Sequence, residues 1–376
     1  MLIRATTTLF STSMPATRSA AKAGTAIKRN LSTSPEPRSP KKPKTISKLA
    51  LESDASAEED FIPANAILTF KLEEARKHLI AADPRFADVF ARLPCKPFEG
   101  PLEQVHPFQA LASAILGQQI STLAARSIQH RFIRLYNLDL PAKYIDYAGS
   151  FFPKPGQVAR TEIATLRSAG LSQRKAEYIK DLAERFSDGR LSAAKIQNRD
   201  DDELRSELTQ VRGIGQWTVD MFAIFSLRRP DILPVGDLGV QRGIVRWILS
   251  QHDATHEFNG SPKKKPISPR KAKQDVEQEA ADARPQTPPP AESGGIPLPP
   301  TFTPSIQRTL KKPVLEKPSL EAAGLSVAEL KARLNGKKIK GAFLTPAEMD
   351  KLTEKWKPFS SVGVYYMWAL ADAENA

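Results

Sequence analysis

The residues best suited to chemistry lie between positions 211 and 237, in a glycine-rich turn and the two helical patterns around it. The turn Val211-Arg212-Gly213-Ile214-Gly215 interrupts two apolar helical patterns, so the sequence predicts a helix-hairpin-helix over 204–227. Glycines at 213 and 215 permit positive φ and a close approach of the backbone to another molecule, while Ile214 packs inward. The turn amides and the positive N-terminus of the second helix then converge on one phosphate oxygen. A plain corner between two helices explains this short pattern equally well.

An aspartate, Asp237, follows Trp217 after twenty residues, inside the segment LPVGDLGVQRG. It stands where a further helix begins, so a simple N-cap is the stronger interpretation of the aspartate taken alone. A catalytic role requires the hairpin, the Gly236-Asp237 corner and the apolar flanks to act together.

The elements that must position these residues are helical. Apolar residues recur at three- and four-residue spacing, and Ser172, Thr345-Pro346 and Gly189 supply start and stop signals. The clearest such stretches are residues 66–83, 107–121, 122–136, 172–189 and 345–372. Alternating strand patterns are absent from the sequence, so the predicted fold class is all-α.

Charge and proline divide the chain. The net charge is +13, but residues 1–48 hold ten Lys/Arg against one acid, and residues 258–319 hold eleven against six together with thirteen prolines. We therefore predict a disordered basic tail at 1–60, a helical domain at 61–257, a disordered Pro/Lys-rich insertion at 258–319 and closing helices at 320–376. Any anion-binding face on the near-neutral folded part must be a local patch.

The basic tail carries two address-like patterns. Its first residues are rich in Arg, Ser and Thr and lack acids, as mitochondrial transit segments do, and PRSPKKPKT resembles a nuclear import signal. We expect a nuclear protein with additional mitochondrial targeting; a merely solvated basic tail is the alternative.

Composition also limits the chemistry. One cysteine, Cys95, excludes a disulfide framework and an iron–sulfur cluster held by this chain alone, and with only five histidines we predict no metal site and no cofactor. No run approaches the roughly 20 apolar residues that cross a bilayer, so we expect no membrane partner.

Five ordered segments identify a family. They are ILGQQIS (115–121), LRSAGLSQRKAEYIKDLA (166–183), VRGIGQWTVDMF (211–222), LPVGDLGVQRG (233–243) and KWKPFSSVGVYYMWAL (355–370). From about 64 to 257 and again from 320 to 371 the chain resembles the HhH-GPD superfamily of DNA base-excision glycosylases, and within it the 3-methyladenine DNA glycosylase II (AlkA/Mag-type) family. The long insertion after His252 and the lack of room for the β-domain of bacterial relatives depart from that pattern.

The resemblance implies two helical subdomains with the active-site cleft between them. It implies a hairpin that holds the DNA backbone, often with an alkali cation on its carbonyls, and Asp237 as the essential acid. Members that also cut the strand carry a lysine where Trp217 stands, because a Schiff base needs an amine. With neither that lysine nor four clustered cysteines, the chain is expected to be a monofunctional glycosylase that uses water.

An alkylated purine such as 3-methyladenine or 7-methylguanine is already cationic and leaves as a neutral base, so one carboxylate is enough. Electron-poor bases favour aromatic faces through stacking and cation–π attraction. We predict Trp217 and Trp368 as the base pocket, with Tyr365 and Phe222 behind them and Met221 on the same wall; a core position is an equal alternative for Trp368. Ethenoadenine and hypoxanthine are further candidate substrates.

Contacts to duplex DNA with a damaged base are predicted at three places, and the protein is expected to act as a monomer. The family's minor-groove wedge region matches Gln118-Gln119-Ile120-Ser121, from which Gln119 or Ile120 inserts. A phosphate contact is predicted at Ser172, Gln173 and Arg174, where a capped helix is the stronger alternative. The hairpin contributes Arg212, Gly213, Ile214, Gly215 and Thr218. Two rival classes are a non-enzymatic helix-hairpin-helix DNA-binding protein and a glycosylase for another damaged base.

Overall fold

The computed structural model of the protein describes residues 68–99, 106–253, 255–256, 306–314 and 316–371. Across these ranges the regular elements are helices, and an isolated bridge between Ile339 and Ala342 is the only β pairing in them. The α-helices are α1 Leu72–Ala82, α2 Arg85–Arg92, α3 Pro107–Gly117, α4 Thr122–Arg134, α5 Pro155–Arg160, α6 Ile163–Ser168, α7 Gln173–Ser187, α8 Ala193–Asn198, α9 Asp201–Leu208, α10 Gln216–Phe225, α11 Leu238–His252, α12 Ile306–Leu310, α13 Val327–Leu334, α14 Pro346–Leu352 and α15 Ser360–Ala371. The expected all-α class is confirmed.

The helices α3 to α10 form one group around α7. Helix α7 packs against α3, α5 and α6, and α10 contacts both α9 and α3. The buried face of α7 carries Ala176, Ile179, Leu182 and Ala183, which lie three or four residues apart or next to each other and so share one side of the helix. Ser172 caps α7 by accepting a hydrogen bond from the Lys175 amide, as the sequence predicts.

A second group joins the two ends of the described chain around α11. Helix α11 packs closely on α15, because a side chain at Gly243 would come within 2.1 Å of the Met367 carbonyl oxygen. Arg246 of α11 donates to the Ala371 carbonyl at 3.0 Å, which satisfies a carbonyl at the C-terminus of α15.

The N-terminal helices belong to this second group through a buried arginine. The Arg85 guanidinium pairs with Asp83 at 2.7 Å and donates to Ser250 Oγ at 2.7 Å and to the Trp247 carbonyl at 3.1 Å. Since Arg85 is fully buried, these partners offset the cost of taking its charge out of water. The contact ties the α1–α2 corner to α11.

The segment from 306 to 319 corrects one expectation. The composition of 258–319 predicts disorder throughout, but α12 packs on α2, Leu310 and Val314 are buried, and Thr309 Oγ1 donates to Asp88 Oδ2 at 2.6 Å. A few apolar residues order this short piece against the domain, whereas an average over the whole Pro-rich stretch conceals them. Residues 258–304, like the basic tail 1–60, lie outside the described residues.

Two helical boundaries also differ from the sequence pattern. The stretch 345–372 holds α14, a 3₁₀ turn at Glu354–Trp356 and α15, since Pro358 cannot continue a helix. Helix α3 ends at Gly117, so Gln118 to Ser121 form a loop.

No helix among the described residues is both long and apolar enough to cross a membrane.

Candidate active site and nucleic-acid interface

Asp237 receives three hydrogen bonds at the junction of the two helical groups. Its Oδ1 accepts from the Val240 amide at 2.8 Å and from Trp368 Nε1 at 3.0 Å, and its Oδ2 accepts from Trp217 Nε1 at 2.7 Å. The side chain is therefore an N-cap of α11 and the partner of both tryptophans at once. Three N–H donors suit a carboxylate, which only accepts.

The two tryptophans reach Asp237 from different groups of helices. Trp217 lies in the first turn of α10 and is 43% exposed, whereas Trp368 lies on α15, is partly buried and contacts the Phe225 ring at 5.6 Å between centroids. A Cβ on Gly239 would come within 3.0 Å of Trp368 and 3.1 Å of the carboxylate, so the absence of a side chain there leaves space for both. An open indole face thus lies beside a fixed negative charge.

Three other residues predicted for the base pocket are core residues in this structure. Met221 and Phe222 are each 5% exposed and Tyr365 is fully buried, so burial fits the predicted places of Phe222 and Tyr365 behind the tryptophans, whereas the expectation that Met221 lines the pocket wall is corrected. The reason is that every residue of α10 from Thr218 to Phe225 is buried by neighbouring elements. They can act only as support behind the tryptophans, together with Phe225, which the sequence analysis did not single out.

The hairpin turn joins α9 to α10, and its two glycines serve different purposes. Gly213 has φ +85°, and a Cβ there would come within 2.1 Å of the Tyr178 ring, whereas Gly215 has an ordinary negative φ and open space around the Cβ position. The expectation of positive φ therefore holds at Gly213 and is wrong at Gly215. Ile214 is buried, as predicted.

The start of α10 is open to an anion. Its N-cap is Gly215, which has no side chain to accept hydrogen bonds from the first amides, and Gly215, Gln216 and Trp217 are all exposed. Uncapped N–H groups and the helix dipole together favour a negative group at this position.

Two residues predicted to contact DNA from this region do not face solvent freely. Thr218 is 6% exposed because it lies on the buried side of α10. Gln118 is half-buried, and its Nε2 donates to the Gly213 carbonyl at 2.9 Å, so it serves the hairpin from within the protein. Both expectations are corrected.

The neighbouring loop presents the remaining wedge residues. Gln119, Ile120 and Ser121 are exposed, and Ser121 caps α4 through the Ala124 amide. Gln119 has φ +60°, a conformation that is uncommon outside glycine and that is often found where a loop has a function.

Two further predicted contacts lie on the surface. Ser172, Gln173 and Arg174 are exposed at the start of α7, where Ser172 is also a helix cap. The Arg212 side chain is 60% exposed, and its backbone amide donates to Asp181 at 2.9 Å. These positions are compatible with a phosphate contact and with a simple structural role.

The hairpin carbonyls give a test of the alkali cation that the resemblance implies. The Gln210 carbonyl accepts from Arg185 Nη2 at 2.9 Å, and the Gly213 carbonyl accepts from Gln118. Both carbonyls therefore already accept from side-chain donors, with which an alkali cation would have to compete. In the part of the chain that the structure describes, no group of three His, Cys, Asp or Glu side chains is arranged to hold a metal ion.

Comparison with known proteins gives matches to the part of the chain that holds this site. A family model described as "HhH-GPD superfamily base excision DNA repair protein" matches residues 112–259, which include the hairpin and Asp237. DNA-3-methyladenine glycosylase 1 of Schizosaccharomyces pombe is 33% identical over 38% of this chain and 58% of its own length. The DNA-3-methyladenine glycosylase of Saccharomyces cerevisiae is 33% identical over 50% of this chain and 64% of its own.

A solved structure described as the S. pombe 3-methyladenine DNA glycosylase in complex with abasic DNA is 29% identical. It covers 45% of this chain and 78% of that one, with a TM-score of 0.36. The chain thus spans about half to two thirds of the length of these curated relatives. Residues 112–259 thus match the HhH-GPD superfamily of base excision DNA repair proteins, and the curated relatives that this part of the chain resembles are named DNA-3-methyladenine glycosylases.

Proposed function

We propose that the protein is a monofunctional DNA glycosylase that hydrolyses the N-glycosidic bond of alkylated purines in duplex DNA, the first step of base excision repair. The observation that carries this proposal is the Asp237 carboxylate, held by two indole N–H groups beside the open face of Trp217. A non-enzymatic hairpin module has no need of such a site.

The chemistry follows from the charge of the leaving group. When the bond between C1′ and the base nitrogen breaks, its electron pair goes to the cationic base, which leaves neutral. The sugar becomes oxocarbenium-like, and the Asp237 carboxylate stabilises that positive charge electrostatically. Water then adds to C1′ and its proton passes to the surrounding solvent.

The residues around the carboxylate divide the remaining work. The hydrogen bonds from Trp217, Trp368 and the Val240 amide hold Asp237 in one orientation, so little reorganisation is required during the reaction. The exposed Trp217 face attracts a cationic base more strongly than a neutral one. Damaged bases also cost less to extrude from the stack, which adds to the selection.

Duplex DNA binding is part of the same proposal. The uncapped start of α10 takes a phosphate, and the Gln119–Ile120 loop fills the space that the extruded base leaves. The positive φ of Gln119 favours it as the inserting residue. Gln119→Ala and Ile120→Ala, compared for excision rate, distinguish the two.

The test is base release from methylated duplex DNA by the full chain, with chromatography of the free bases. We expect 3-methyladenine and 7-methylguanine. Binding without release of any base supports the non-enzymatic alternative. Release only from duplexes that carry oxidised or mismatched bases supports a glycosylase of another specificity.

Cellular location and oligomeric state are also proposals. We propose that residues 1–48 direct the protein to the nucleus and in part to mitochondria, on the basis of their ten Lys/Arg against one acid. A tagged protein that begins at residue 49 loses this enrichment and keeps its excision activity; unchanged localisation contradicts the proposal. The protein is proposed to act as a monomer, which light scattering checks against a mass of 41.4 kDa.

A further inference from the structure

One face of α7 contacts the hairpin and the end of α3. Lys175, Tyr178, Asp181 and Arg185 recur every three or four residues and so share a side of the helix. The Tyr178 ring lies against Gly213, Asp181 accepts from the Arg212 amide at 2.9 Å, and Arg185 donates to the Gln210 carbonyl at 2.9 Å. Four side chains of one helix therefore support the turn and the loop beside it.

The Lys175 end of this face links the loop directly to the turn. Lys175 Nζ donates to the carbonyls of Leu116 and Gln118, each at 2.7 Å, and Gln118 Nε2 donates in turn to the Gly213 carbonyl at 2.9 Å. The chain of contacts runs from α7 through the C-terminus of α3 to the hairpin. These contacts join residues 57 to 95 positions apart in sequence, so only the fold brings them together.

The physical effect of these contacts is to immobilise backbone that is otherwise free to move. The last carbonyls of a helix lack intrahelical donors and carry partial negative charge, which an ammonium group satisfies. Gln119, which follows the Gln118 carbonyl held by Lys175, has positive φ, and such a conformation persists only where the surrounding contacts enforce it. Lys175 is half-buried, and this desolvation lowers the pKa of its ammonium group.

We propose that Lys175 and Gln118 are positioning residues that hold the Gln119–Ile120 loop and the Gly213 turn in one fixed relation. The loop is the proposed wedge and the turn leads into the proposed phosphate site, so the inference rests on the proposed function. Through this link, the position of the phosphate contact at the turn and the position of the inserting loop depend on each other. Neither residue touches the reacting atoms.

The same helix offers a matched control. Lys180 Nζ also donates to two backbone carbonyls, those of Ala159 at 2.5 Å and Thr161 at 3.2 Å, and its side chain is likewise partly buried. These contacts join α7 to the region of α5, away from the hairpin. Lys180→Met therefore removes the same kind of interaction from the same helix without reaching the loop or the turn.

The first measurement needs no DNA. Hydrogen exchange at the hydrogen-bonded amides of Ile214, Thr218 and Val219 is compared in the wild type, Lys175→Met, Gln118→Met and Lys180→Met. We expect about tenfold faster exchange in the first two variants and no change at these amides in Lys180→Met, with Lys175→Arg closer to the wild type because it keeps donors to the carbonyls. Equal exchange in Lys175→Met and Lys180→Met overturns the proposal.

The second measurement uses duplexes with and without an abasic-site analogue. Lys175→Met and Gln118→Met are expected to weaken binding to both duplexes by about tenfold, and the double variant to be no weaker than the weaker single one, because both act through the same link. If the losses of DNA affinity in the two single variants multiply in the double variant, the two residues act independently and the link is contradicted. Lys180→Met stays within twofold of the wild type.

The two proposals fail in different ways. If the wild type binds abasic DNA but releases no base, the proposed glycosylase activity fails while the binding and exchange measurements still test the link. If bases are released normally by Lys175→Met and the exchange at the amides of Ile214, Thr218 and Val219 is unchanged, the link fails and the glycosylase proposal stands.

Discussion

Replacing Asp237 with asparagine separates the negative charge of this side chain from its role as a helix cap. The asparagine Oδ1 can keep the hydrogen bonds from the Val240 amide and Trp368 Nε1, which lie at 2.8 Å and 3.0 Å in the wild type. Its Nδ2 then faces Trp217 Nε1, which donates to Oδ2 at 2.7 Å. One hydrogen bond becomes a contact between two donors.

The expected magnitudes follow from that geometry. Losing one hydrogen bond costs about 1 kcal/mol, at the low end because Trp217 is 43% exposed and can turn toward water. A loss of that size lowers the melting temperature by about 2–4 °C in a domain of this size. Removing the charge that stabilises the sugar cation slows base release by roughly 100-fold or more, which corresponds to about 2.7 kcal/mol.

The assay is single-turnover release of 7-methylguanine at saturating enzyme, with melting temperature and affinity for an abasic-site analogue measured in parallel. Asp200→Asn is the matched control, because Asp200 also caps a helix, α9, by accepting from the Glu203 amide at 2.8 Å. We expect Asp200→Asn to release bases at the wild-type rate. Release by Asp237→Asn within a few fold of the wild type would reduce Asp237 to a helix cap and refute the catalytic assignment.

Three further outcomes are expected. Gly213→Ala lowers the free energy of unfolding by about 2 kcal/mol or more, because Gly213 has φ +85° and the new Cβ would lie 2.1 Å from the Tyr178 ring. Gly215→Ala has the melting temperature of the wild type, and equal melting temperatures of the two variants contradict this expectation. Burial raises the pKa of Asp220 from 3.8 to about 6 despite Arg205 at 3.7 Å, so the folded state binds the extra proton between these values and stability falls as pH rises through that window. Asp220→Asn removes that loss and melts higher than the wild type at pH 7 but not near pH 4; parallel curves of melting temperature against pH exclude the effect. Replacing residues 258–304 with a short linker leaves the excision rate near that of the wild type. Deleting residues 258–319 also removes the buried Leu310 and therefore lowers the melting temperature. Equal melting temperatures of the two deletion variants argue against the packing of α12.

Local patterns predicted much of the fold. Ser172 and Thr345 are caps because their hydroxyls accept from amides three residues ahead, a relation that depends only on neighbouring sequence. The turn around Gly213 is equally local. By contrast, the pattern over 345–372 predicted helix throughout, because apolar spacing continues across the break at Pro358.

The site was predictable only in part, since residue type and order do not fix distance. Trp217 and Asp237 were singled out by spacing and resemblance, but an equal case for Trp368 as a core residue could not be resolved without knowing where α15 packs. The structure places its indole 3.0 Å from Asp237, 131 residues away. Thr218 and Met221 share a helix with Trp217, yet packing buries both of them.

The sequence by itself determined the helical class, the helix caps and the glycine turn, because each depends on propensities and hydrogen bonds within a few residues. Tertiary structure decided which side of α10 faces solvent, that two indoles share one carboxylate, and that Gln118 serves the hairpin from inside the protein. These contacts join residues 20 to 131 positions apart. They form only when packing of the two helical groups makes up for the entropy of ordering the chain between them.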